Sequence, residues 1–93
     1  MEKTIVLTIN GTDITFNMTA KDHTAYVNEV MPSNKVAPAH NLLMRTVSSD
    51  SKDALKELLK LPGMAINVTA KLMEEFTPDI VITVGKSSKS PNE

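Results

Sequence analysis

Two runs of strict alternation flank Asn10-Gly11, and nothing else in the chain restricts the fold as tightly. Before the dipeptide, Ile5, Leu7 and Ile9 point one way and Thr4, Val6 and Thr8 the other. After it, Ile14, Phe16 and Met18 repeat the apolar series, with Thr15 and Asn17 opposite. A period of two marks a half-buried strand, and Asn-Gly tolerates the positive φ that a tight hairpin turn demands. A two-residue turn sets Leu7 opposite Ile14 and Ile5 opposite Phe16. A four-residue turn, Asn10 to Asp13, sets Ile9 opposite Ile14 and Leu7 opposite Phe16. Both keep the apolar residues on one face, so the pattern alone leaves the register open.

A two-stranded hairpin is marginal by itself in water. Ile80-Val-Ile-Thr-Val84 has the same one-faced pattern in Ile80, Ile82 and Val84, and is expected to join the hairpin as a third antiparallel strand beside the first. Val6 and Val81 then form a small apolar spot on the polar face, where a partner sheet or a second copy of the chain can dock. Between the strands the periodicity turns helical. Thr19 is placed to cap a helix over 20–31, with Asp22 near its positive end and His23, Tyr26, Val27, Val30 and Met31 on one face. Pro32 stops that helix, and Pro38 is suited to the first position of the next. There Ala39, Leu42, Leu43, Thr46 and Val47 share a face. After the polar break Ser48–Ser51 come a helix over 52–61, striped by Ala54, Leu55, Leu58, Leu59 and Leu61, and one over 64–76, striped by Ala65, Val68, Leu72, Met73 and Phe76. Pro62-Gly63 separates them. The fold class is therefore α+β: a three-stranded antiparallel sheet with about four short helices on one face. Residues 1–85 form the single domain. Residues 86–93, without a large apolar side chain, are expected to be a disordered polar tail.

Composition narrows the function. Two Phe, one Tyr and no Trp leave the core to aliphatic residues and six Met. The absence of cysteine removes disulfides, zinc–thiolate sites and thiol catalysis. A net charge of −1 with both signs interspersed argues against a nucleic-acid or membrane partner. No apolar run reaches the roughly 18 residues of a membrane span, and the start of the chain has no signal-peptide layout.

Candidates for chemistry are few. His23 is expected on or beside a buried helical face, in a structural role, and His40 on the polar side of its helix. Neither stands in a nucleophile–base pattern. Asp22-His23 is too small a set for a metal, and Gly11, Gly63 and Gly85 lie too far apart for a phosphate loop. No catalytic, cofactor or metal residue is assigned. Lys52, Lys56 and Lys60 form a row along one helix, but Asp53 and Glu57 interleave them, as on an ordinary solvated face. The methionines suggest more. Flexible thioethers suit a surface that grips varied apolar partners, and Met44 falls at the margin of its helix's apolar face.

Three stretches resemble a family of small tailed-phage proteins, the tail assembly chaperones. The first is Tyr26-Val-Asn-Glu29 with Met31-Pro32 and Asn34-Lys-Val-Ala-Pro-Ala-His-Asn-Leu-Leu43. The second is Arg45-Thr-Val47, a polar gap, then Ala54-Leu55 and Leu58-Leu59. The third is Leu61-Pro-Gly63 with Glu75-Phe-Thr-Pro-Asp79 and its strand. With the hairpin, the resemblance covers about residues 3 to 86. It implies a non-enzymatic, ATP-independent chaperone, acting in the bacterial cytoplasm, that shields apolar helical segments of the tape-measure protein before the tail tube polymerises. The major tail protein is a further contact it admits; self-association is expected from the polar face of the sheet instead. Such genes often make a longer form by frameshifting near the end of the short one, and a polar tail would suit a linker there. Leu42, Leu43, Met44, Leu58 and Leu59 are the expected partner-binding residues. The rival readings are a structural virion protein, such as a minor tail or head-completion protein, and a small phage regulator that binds nucleic acid or a host protein.

Overall fold

The computed structural model describes residues 2–77 and 82–85. Strands β1 (Glu2–Ile9) and β2 (Thr12–Thr19) form an antiparallel hairpin in which Ile5 faces Phe16 and Leu7 faces Ile14. Of the two registers, the two-residue turn is the one formed. Asn10 and Gly11 take φ of 51° and 82°, the left-handed pair that matches the twist of the flanking strands. Ile5, Leu7, Ile14, Phe16 and Met18 are buried as one face.

Strand β2 runs into helix α1 (Ala20–Glu29) with no loop between them. Thr19 makes the junction. Its hydroxyl accepts from the Asp22 amide at 3.1 Å, while its own amide donates to Asp22 Oδ2 at 3.0 Å. This reciprocal cap satisfies two of the donors that a helix start leaves unpaired. Arg45 Nε, from the next helix, donates to Asp22 Oδ1 at 3.1 Å and ties α1 to it. Burial raises the Asp22 pKa, but the Thr19 amide and hydroxyl and Arg45 outweigh it and hold the carboxyl below its ordinary value. A carboxyl with a folded pKa below its unfolded one stabilises the fold above the unfolded value, and loses that contribution as pH falls through the folded one. Acidification through this range is therefore expected to lower the urea midpoint, and Asp22→Asn to flatten that dependence. An unchanged slope in the variant would show that Asp22 does not carry the effect.

Helix α1 stops two residues short of the expected Met31. The residue before a proline is pushed out of helical geometry, and Met31 and Asn34 instead exchange backbone hydrogen bonds of 3.1 and 2.9 Å around Pro32. The expected apolar face of α1 is also shallower than its pattern suggests. No residue of the helix is fully buried, Tyr26 packs half-buried on the core, and Val27 and Met31 are exposed.

Helix α2 (Val36–Thr46) begins two residues before Pro38, where a missing N–H is still harmless because the first four amides have no intrahelical acceptor. Ala39, Leu42, Leu43 and Thr46 are buried. Val47 then forms a bridge to Phe16, and a short 3-10 turn (Ser49–Ser51) follows. Helix α3 (Lys52–Leu58) is shorter than expected and buries only Leu55 completely. Gly63, at φ 75°, takes the left-handed conformation that reverses the chain into α4 (Met64–Phe76). Val68, Leu72 and Phe76 of α4 are buried against the hairpin and α2, and the Thr69 hydroxyl reaches the Ala39 carbonyl at 3.4 Å.

The expected third strand needs correction. Ile80 and Val81 lie outside the described residues, so the proposed Val6–Val81 spot does too. Ile82, Thr83 and Val84 form no strand pairing and are exposed. Among the described residues the sheet has two strands. Residues 86–93 also lie outside the described part.

Candidate partner-binding surface

Among the described residues, two grooves are lined largely by apolar side chains around α4. The first lies around the α3–α4 turn. Val36, at the start of α2, is 60% exposed, and Leu61 and Ile66 are exposed beside it. With Leu59, Pro62 and Ala65 they line a shallow groove of about 250 Å³. The local sequence explains the exposure. Leu61 follows the end of α3 and precedes Pro62-Gly63, so it sits on the turn. Ile66 is two positions from buried Val68, which sets it on another side of α4.

The second surface runs along β1. Helix α4 crosses the hairpin so that Lys3 Nζ donates to the Glu75 carbonyl at 2.8 Å. A groove of about 540 Å³ lies between the strand edge and the helix, floored by Leu7, Ile9, Met64 and Val68 and rimmed by Lys71 and Glu75.

The residues singled out from sequence divide. Leu42 and Leu43 are fully enclosed in the core. A face at helical spacing cannot tell which apolar residues a domain covers with its own elements, and here α2 packs against α4, α1 and β2. Met44, Leu58 and Leu59 are half-buried against the core, and Leu59 is the one that reaches the open groove by Val36. Val36, Leu61 and Ile66 were not singled out as a surface. Leu61 alone carried a local signal, an apolar residue directly before the Pro62-Gly63 break; nothing adjacent marked Val36 or Ile66.

Polar chemistry is sparse. The His23 and Phe76 rings lie 5.8 Å apart. His40 is exposed. Among the described residues no three His, Asp or Glu side chains cluster as metal ligands, and no helix is long and apolar enough to cross a membrane.

The fold is a small α+β domain that leaves apolar side chains exposed around the α3–α4 turn and along β1. Residues 5–86 match a family model for phage tail assembly chaperones, and the chain belongs to that family. It is 34% identical over 87 residues to an 11.3 kDa protein from the region 3′ of lys in Haemophilus phage HP1, a match spanning 90% of this chain and 82% of the relative. Its fold is similar to that of a solved protein from Bacillus stearothermophilus, at a TM-score of 0.64 and 18% identity, covering 89% of this chain and 90% of that one.

Proposed function

We propose that the protein is a non-enzymatic chaperone that binds apolar helical segments of its phage's tape-measure protein in the host cytoplasm and keeps them from aggregating until the tube protein encloses them. The observation that carries this reading is the exposed patch of Val36, Leu61 and Ile66 in a domain whose family acts in tail assembly. An apolar helix laid on such a patch removes both surfaces from water, at about 25 cal/mol for each Å² buried. Leu59 extends the patch toward α3. Met44 and Leu58, half-buried beside the core, are the further residues that a larger partner surface would reach. Leu42 and Leu43 are enclosed in the core and are not part of the proposed contact.

Co-purification with the tape-measure protein of the same phage tests the proposal. The wild-type chain is expected to retain it, and the pair Val36→Asp and Ile66→Asp to weaken retention by about tenfold or more, the scale for loss of a central apolar anchor. No retention by the wild type would refute the chaperone reading. Equal retention by the charged variant would refute the patch. Mass spectrometry of purified virions separates the rival structural reading, since an assembly chaperone is absent from finished particles.

A further inference from the structure

The two edges of the hairpin differ. On β2, the outward backbone groups of Thr15 are occupied: its amide donates to Ser51 Oγ at 3.0 Å and its carbonyl accepts from the Ser48 amide at 2.9 Å. On β1, the register turns the N–H and C=O of Thr4, Val6 and Thr8 away from β2, because the intervening odd-numbered residues form the hydrogen-bonded pairs. Among the described residues these edge groups have no backbone partner. An open edge of this kind is a template for another strand. The groove under α4 would receive that strand's alternate side chains.

The chain carries a segment that fits. Ile82 and Val84 alternate with Thr83, are 85% and 94% exposed, and form no strand in their own molecule. We propose that the segment around Ile82–Val84 of one copy adds as a third, antiparallel strand to the β1 edge of a second copy. Ile82 then lies opposite Leu7, Val84 opposite Ile5, and Thr83 opposite Val6, with Ile82 and Val84 turned into the groove. The direction favours a second copy over the chain's own edge. Helix α4 ends at the Lys3 end of its own β1, so a strand returning along that edge would run parallel to it, whereas another molecule can approach antiparallel, the slightly more stable ladder.

The chain has no cysteine, so introduced thiols are its only ones. Both Val6 and Thr83 are exposed. Val6→Cys chains mixed with Thr83→Cys chains are expected to give a disulfide-linked dimer containing one of each, several-fold above the dimer formed by either alone. Adding Ile82→Asp to the Thr83→Cys chain should return the yield to that background. A mixture that cross-links no better than the separate chains overturns the proposal. So does the double variant Val6→Cys with Thr83→Cys if it closes on itself and leaves only monomer, since the segment then covers its own edge. The assay contains no tape-measure protein, so its outcome is independent of the chaperone reading.

Discussion

Phe16→Ala is expected to cost about 3–5 kcal/mol, the range for truncating an enclosed aromatic side chain. Phe16 is wholly buried, faces Ile5 across the hairpin and is bridged to Val47 on its other side. It thus touches both the strand partner and the segment that leads out of α2. Small domains hold a total of only about 5–15 kcal/mol against unfolding, so one substitution removes a large part of it. In urea the midpoint should fall by about 1 M or more. A midpoint within experimental error of the parent would mean that the hairpin is not the floor of the core.

Leu42→Ala is expected to cost about 2–5 kcal/mol for the same reason, because a fully enclosed leucine leaves a cavity that its neighbours fill only in part. This prediction separates a core residue from a contact residue. Ile66→Asp changes an exposed position and should move stability by no more than about 0.5 kcal/mol. If Leu42→Ala lost the tape-measure protein while keeping the parent's urea midpoint, Leu42 would be a direct contact and its enclosure in the core would be the wrong guide.

The hairpin was legible because two independent signals agree there: alternation on both sides, and a dipeptide suited to the turn. The faces of α2 and α4 were legible for a similar reason. Ala39, Leu42, Leu43 and Thr46, and Val68, Leu72 and Phe76, repeat at helical spacing over about two turns each, and the structure buries all of them. A third strand is not seen among the described residues, and the pattern could not decide it. Alternation in Ile80–Val84 says that a segment can pair, and not that its own sheet is the partner. The cover on the β2 edge could not be read either. It depends on the Ser51 hydroxyl meeting a backbone amide 36 positions away, and no local pattern encodes such a contact. The candidate surface was legible only at its margin, through Leu59. Whether an apolar stripe faces inward or outward is decided by which elements pack over it, and that is a property of the whole fold.

The loop-free passage from β2 into α1 has a consequence for how the molecule opens. Thr19 closes the strand and caps the helix at once, so the first turn of α1 cannot come loose without disturbing the end of the hairpin. The far end is different: α1 buries no residue completely, and its last turn carries no basic side chain to offset the helix dipole. Protection against local unfolding should therefore grade along this one helix, firm at Asp22 and slack at Glu29, without an all-or-none boundary. Fraying that starts beside Pro32 would free Tyr26 and Val27 for a neighbour while the hairpin, α2 and α4 stay intact. One end of the helix acts as an anchor and the other as a tether that the molecule can pay out at little cost.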